Sequence, residues 1–234
     1  MITFTPLVFA ALAAWVMCVC FHEFSHALVA YWGGDRSVRE KGYLSLDPTR
    51  FIDPVFSLLI PAIILLIGGF PLPGASVMID RGALKSERWA AYVSAAGPAS
   101  NFLLFLIFAI PLHPWVGMVD PTAGLQPTWV YFCGAMCVLN FIVVLFNLIP
   151  VPPLDGFGII EHTFDPETRM KLRQPQVVWA CFAMLMFVLF AIPGSMRPFV
   201  FMLEYACDVL GLSFPLLIDG YRFVLFDEHP LSDM

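Results

Sequence analysis

The sequence predicts an all-α membrane protein, a polytopic bundle of five to six transmembrane helices with a re-entrant or surface hairpin at about 51–73. Three observations predict it. Only 13% of the 234 residues are charged, roughly half the share in a soluble domain. The apolar residues fall in blocks long enough to cross a bilayer core of about 30 Å. Lys and Arg are confined to a few short stretches between those blocks.

Taken in order, the blocks are about 6–31, 90–111, 128–149, 176–193 and 199–218. The N-terminal block has no basic region before it and runs on past residue 22, so it reads as a first span rather than a cleaved leader. The block FIDPVFSLLIPAIILLIGGFPLP is different. Pro61 interrupts it, and Gly68, Gly69, Pro71 and Pro73 end it. Charge decides how it is read. Basic residues cluster at 36–50, 81–88 and 169–173, and 112–127 has none. Basic loops face the cytoplasm. If 51–73 dips in and returns, all three clusters fall on one side; if it crosses as a sixth span, the first two are divided. The hairpin fits every cluster, with the N-terminus outside.

The chain reads as one domain over 1–234, with a core at about 4–160, accessory helices at about 175–220 and a short tail at 221–234. The polar stretches are too short to hold a further domain. A net charge of −6 and the lack of a basic, aromatic-bearing patch exclude nucleic acid as a partner. The six cysteines lie in apolar segments without C-x-x-C spacing, as small packing residues do.

FHEFSH, residues 21–26, stands out in the first span. Ionisable groups within a membrane segment are costly and mark function. H-E-x-x-H on a helix puts His22 and His26 on one face, where both imidazoles reach one zinc ion. Glu23 then lies beside a water at that ion and serves as general base. The bland reading is a polar knot between helices. A zinc site needs a third protein ligand. His113, His162 and His229 lack a supporting context. Asp155 has one: NLIPVPPLDG follows a long span with an irregular, proline-rich turn that carries a single carboxylate. Asp155 reaches the side of His26 only if 51–73 does not cross.

These stretches resemble the site-2 protease family of intramembrane zinc metalloproteases, in its compact bacterial and archaeal branch. HEFSHALVA is similar to that family's zinc-binding helix. NLIPVPPLDG carries its N-x-x-P-x-x-x-L-D-G pattern at Asn147, Pro150, Leu154, Asp155 and Gly156. AAGPASNFLL looks like its G-P-x-x-N helix at Gly97, Pro98 and Asn101, and 33–54 is similar to the segment after the zinc helix. The likeness covers about 20–160. It implies a three-helix catalytic core made of the first, second and third long spans. It implies one Zn2+ per chain held by His22, His26 and Asp155, with Glu23 as base. It implies membrane-spanning protein substrates cut in or near the bilayer of a prokaryotic cytoplasmic membrane, with the site toward the cytoplasm. Asn147 is expected to orient substrate or the developing oxyanion, and Asn101 to support the site or the packing. Phe51 and Leu72 depart from the branch, where His and Lys are frequent, and no PDZ or CBS domain is expected. Two rival functions use the same residues: a zinc transporter or metal sensor, and an inactive relative that only binds partners.

Overall fold

A computed structural model describes residues 6–51, 77–119 and 125–226. The hairpin expected at 51–73 lies outside the described residues except for Phe51, as does most of the tail.

Among the described residues the regular structure is helical, with no strand. Helix α1 runs over Pro6–Gly33, 28 residues with no Gly or Pro between its ends. It is about 42 Å long at 1.5 Å per residue, more than a bilayer core requires. The chain then turns into the short α2, Ser37–Glu40. Helix α3, Glu87–Ala109, contains Pro98 and continues as a 3-10 turn to Leu112. Helix α4, Thr128–Asn147, has 20 residues and is mostly buried. These three are long and apolar enough to cross a membrane.

In the last third, the block at 176–193 is helical as expected and the block at 199–218 departs from expectation. Helix α5, Asp155–Ile160, is short, and α6, Pro166–Leu172, is capped by Asp165, which accepts from the Thr168 amide. Helix α7, Pro175–Ala191, has 17 residues and meets α6 at a 66° bend. The run expected to cross at 199–218 is two helices, α8 over Arg197–Leu210 and α9 over Phe214–Phe226. At 14 and 13 residues, each falls short of the roughly 20 that a perpendicular crossing needs. The described residues thus hold three candidate spans, or four if α6 and α7 together make one, of the five to six predicted. A hydropathy reading passes over the turn at 211–213 because Leu210 and Leu212 keep the window apolar.

The helices distribute over two compact units. The first takes the described residues of 1–18, 101–142 and 198–234. Its core includes Phe105, Met136, Leu203 and Leu217, all fully buried. Tyr131 and Phe223 stack with ring centroids 4.8 Å apart. The second takes the described residues of 19–100 and 143–197. In it Glu161, 3% exposed, receives Arg81 and Arg173 on its two oxygens. A buried carboxylate without partners would be strongly disfavoured. The two guanidiniums tie the segment before α3 to the one after α5.

Burial alone would raise the Glu161 carboxyl, but hydrogen bonding from Arg173 and the charge of Arg81 outweigh it and hold the group below its usual 4.5. A carboxylate depressed in the folded state stabilises fully above its unfolded value, and the contribution is lost as pH falls through the folded value. Glu161→Gln is therefore expected to lose about 1–3 kcal/mol at neutral pH. Its deficit against wild type should shrink once the pH is well below 4.5. Thermal unfolding of both proteins in detergent across pH 3–8 (a range of about five units, spanning the carboxylate value) measures this.

Candidate metal centre

The site lies wholly within the second unit. On α1 the four-residue spacing stacks His22 and His26, with ring centroids 4.7 Å apart and planes at 82°. Their Nε2 atoms are 3.1 Å apart. Asp155, the first residue of α5, brings Oδ2 to 3.2 Å from His22 Nε2 and Oδ1 to 3.4 Å from His26 Nε2. The ligand-capable atoms of these residues all lie within 4.8 Å of one another.

Local sequence explains how each arrives. Asp155 is delivered by the turn that Pro150, Pro152 and Pro153 force at the end of α4. Gly156 is required there: a Cβ on it would lie 2.3 Å from the Leu148 carbonyl oxygen, so only glycine lets the turn fold back this closely. His26 is oriented from α3, where its Nδ1 is 2.6 Å from the Val93 carbonyl oxygen. A carbonyl only accepts, so Nδ1 carries the proton and Nε2 presents its lone pair toward His22 and Asp155. Pro98 supplies no N–H to the Ser94 carbonyl, which loosens the helix ladder beside Val93.

Two nitrogen lone pairs and a carboxylate that face one another repel unless a cation sits among them. Asp155 Oδ2 is buried without a hydrogen-bond partner. In a tetrahedral zinc site with bonds of about 2.0–2.1 Å, ligand atoms lie about 3.3 Å apart along each edge. The two Nε2 atoms lie 3.1 Å apart, close to that edge, and each has a different Asp155 oxygen within 3.4 Å. Two imidazoles and one carboxylate are the three-ligand donor set of a catalytic zinc rather than of a closed structural one.

Glu23, also 5% exposed like His22, follows His22 on α1. Asn147 is buried at the last position of α4. Asn101 is engaged in the first unit, where its Nδ2 donates to Asn140 Oδ1 at 2.9 Å. Asn140 in turn donates to the Met136 carbonyl at 2.9 Å. His113 caps the Trp115 amide, and His162 bonds the Ile159 carbonyl. His229 lies outside the described residues.

Asn101→Ala is accordingly expected to cost about 1 kcal/mol of stability and to leave zinc content unchanged. Thermal unfolding and elemental analysis of the purified variant check the two halves.

Sequence reasoning singled out Gly97 only as part of a motif. The structure gives it a reason: a Cβ there would lie 2.3 Å from His26 Nε2 and 2.6 Å from His22 Nε2. The α3 backbone covers the imidazole pair at a distance only glycine permits. A Gly-Pro pair inside an otherwise regular apolar span is the signal that would have pointed to a close approach.

Comparison with known proteins adds independent findings. Residues 111–191 match the family described as Peptidase family M50. A Mycolicibacterium smegmatis protein named "Putative zinc metalloprotease Rip2" is 32% identical over 216 residues, covering 92% of this chain and 79% of its own. Its Mycobacterium tuberculosis namesake is 31% identical over 223 residues, covering 93% and 82%. The Bacillus subtilis YwhC, of the same description, is 36% identical over 168 residues, covering 69% and 72%. No solved structure matches.

Proposed function

This chain belongs to peptidase family M50, and from that membership we propose that it hydrolyses peptide bonds of membrane-protein substrates in or near their spanning segments. The zinc metalloprotease assignment rests on the family and its relatives. One observation carries its extension to residues: His22 and His26, buried, and Asp155, partly buried, bring one ligand-capable atom each within 4.8 Å of one another.

Zinc, when bound, acidifies a water molecule and polarises the scissile carbonyl. His22, His26 and Asp155 hold it. The Val93 carbonyl fixes the tautomer of His26. Glu23 takes the proton of the attacking water on its carboxylate and returns it to the leaving amine nitrogen, a transfer worth about 10²–10⁴ in rate. Asn147 is assigned the orientation of substrate or of the developing oxyanion, where a single donor is worth about 10²–10³. A helical substrate must first unwind, since its carbonyls are otherwise committed to helix hydrogen bonds.

The proposed topology puts this site toward the cytoplasm in a multi-pass protein of a bacterial inner or plasma membrane. Its support is the charge distribution: ten of the 12 Lys and Arg lie in the stretches 36–50, 81–88 and 169–173, which the proposed topology puts on the cytoplasmic side as the positive-inside rule expects, and Arg197 between the last two apolar blocks is the short-loop exception. The single-domain reading of the chain is proposed on the same footing.

The test is reconstitution into phosphatidylethanolamine–phosphatidylglycerol vesicles with single-span fusion proteins whose membrane segment contains a Gly-Pro pair. Cleavage within the segment that stops on chelation and returns with zinc is the expected result. Zinc-dependent fluorescence inside the vesicles without cleavage would replace the protease with a transporter.

A further inference from the structure

Helix α5 carries Asp155 and yet has only six residues. A helix this short has little stability of its own, so its placement is set by what it packs against. Its start is fixed by the proline-rich turn. One turn later, Gly158 shares the face that bears Asp155, since residues three apart on a helix are neighbours. Gly158 is buried, and α3 lies directly against it. A Cβ on Gly158 would stand 2.2 Å from Ser94 Oγ and 2.9 Å from Ser94 Cβ. Rotating the Ser94 hydroxyl away would relieve the first clash. It would leave the second, because that Cβ is fixed to the α3 backbone.

Ser94 is itself buried, and its neighbours on α3 reach the other half of the centre. The Val93 carbonyl oxygen is 2.6 Å from His26 Nδ1. Gly97 lies against both imidazoles. The stretch 93–97 of α3 thus touches both sources of ligands. Val93 and Gly97 meet the histidines of α1, and Ser94 meets the helix of Asp155.

Building on the zinc-site reading, we propose that the Ser94–Gly158 contact is a positioning element. The small Ser94 side chain, seated on bare Gly158 backbone, sets how closely α5 approaches α3 and so holds the Asp155 carboxylate beside His22 and His26. Helix propensity and positioning predict opposite results for Gly158→Ala. Propensity favours alanine within a helix. The contact predicts that the added methyl pushes α5 off α3 and draws Asp155 away from the imidazoles.

The test compares full-length wild type, Gly158→Ala, Ser94→Gly and the double variant in detergent, with Asp155→Ala as reference. A competing chelator gives zinc affinity, and the visible absorption of the Co2+-loaded chain reports the ligand geometry. Gly158→Ala is expected to bind zinc about 10–100-fold more weakly, with its cobalt spectrum moved toward that of Asp155→Ala. In the Ser94→Gly background, where the clash is absent, the same substitution is expected to change affinity by less than about threefold and to leave the spectrum in place. A merely structural role would lower the unfolding temperature of the metal-free chain and move neither metal readout. Wild-type zinc affinity in Gly158→Ala would overturn the proposal, as would an equal loss in both backgrounds. If Gly158→Ala does not fold, the double variant decides. Zinc binding at the strength of Ser94→Gly supports the contact's role, and failure to fold or to bind overturns it. Asp155→Ala tells the two failures apart. If it binds zinc as wild type does, the ligand assignment has failed; if it loses zinc and Gly158→Ala does not, only the positioning role has.

Discussion

Glu23→Gln is expected to cut peptide hydrolysis by about 10²–10⁴ while the protein keeps its zinc. Gln preserves the size of the side chain, but it cannot take a proton from water. The proposed metal ligands His22, His26 and Asp155 remain in place. Rate and zinc content should therefore separate cleanly. The measurement pairs elemental analysis with the rate of fusion-protein cleavage. A variant that keeps both its zinc and its rate would remove Glu23 from the chemistry. A variant that loses both would make Glu23 a support of the metal instead.

Gly97→Ala is expected to lower zinc affinity by at least about 10–100-fold and to abolish cleavage with it. The added methyl would stand 2.3 Å from His26 Nε2 and 2.6 Å from His22 Nε2, in the space where the two lone pairs converge. Ring nitrogens held by the i,i+4 stack and by the Val93 carbonyl have little freedom to retreat. Relief would need α3 to move away from α1. That movement would break the bond that sets the His26 tautomer. A zinc titration of wild type and variant with a competing chelator measures the change, and equal affinities would mean that α3 does not cover the centre as described.

Much of this centre was legible in the sequence. The two histidines needed only the helical repeat, because i and i+4 share a face wherever the helix is placed. Asp155 needed its context, a lone carboxylate in a proline-rich turn after a span. The parts that could not be read are tertiary. No spacing tells that Asn101 meets Asn140, or that Asp35 reaches a residue 45 positions on. Gly97 was visible as a glycine, but which side chains press against it depends on how α3 crosses α1. The block at 199–218 misled for a different reason. Hydropathy counts apolar residues and does not see the turn at 211–213, so two short helices read as one span. The exposed charges Glu204 and Asp208 in α8 were the available warning.

The shared ligation of one ion by α1 and α5 is tested most directly by counting zinc in the purified chain and in Asp155→Ala. Wild type is expected to carry one zinc per chain. Asp155→Ala is expected to carry almost none after dialysis against a mild chelator, since two imidazoles alone leave a structural vacancy in the ligand set. Full retention of zinc by Asp155→Ala would contradict the assignment and send the search for the third ligand elsewhere.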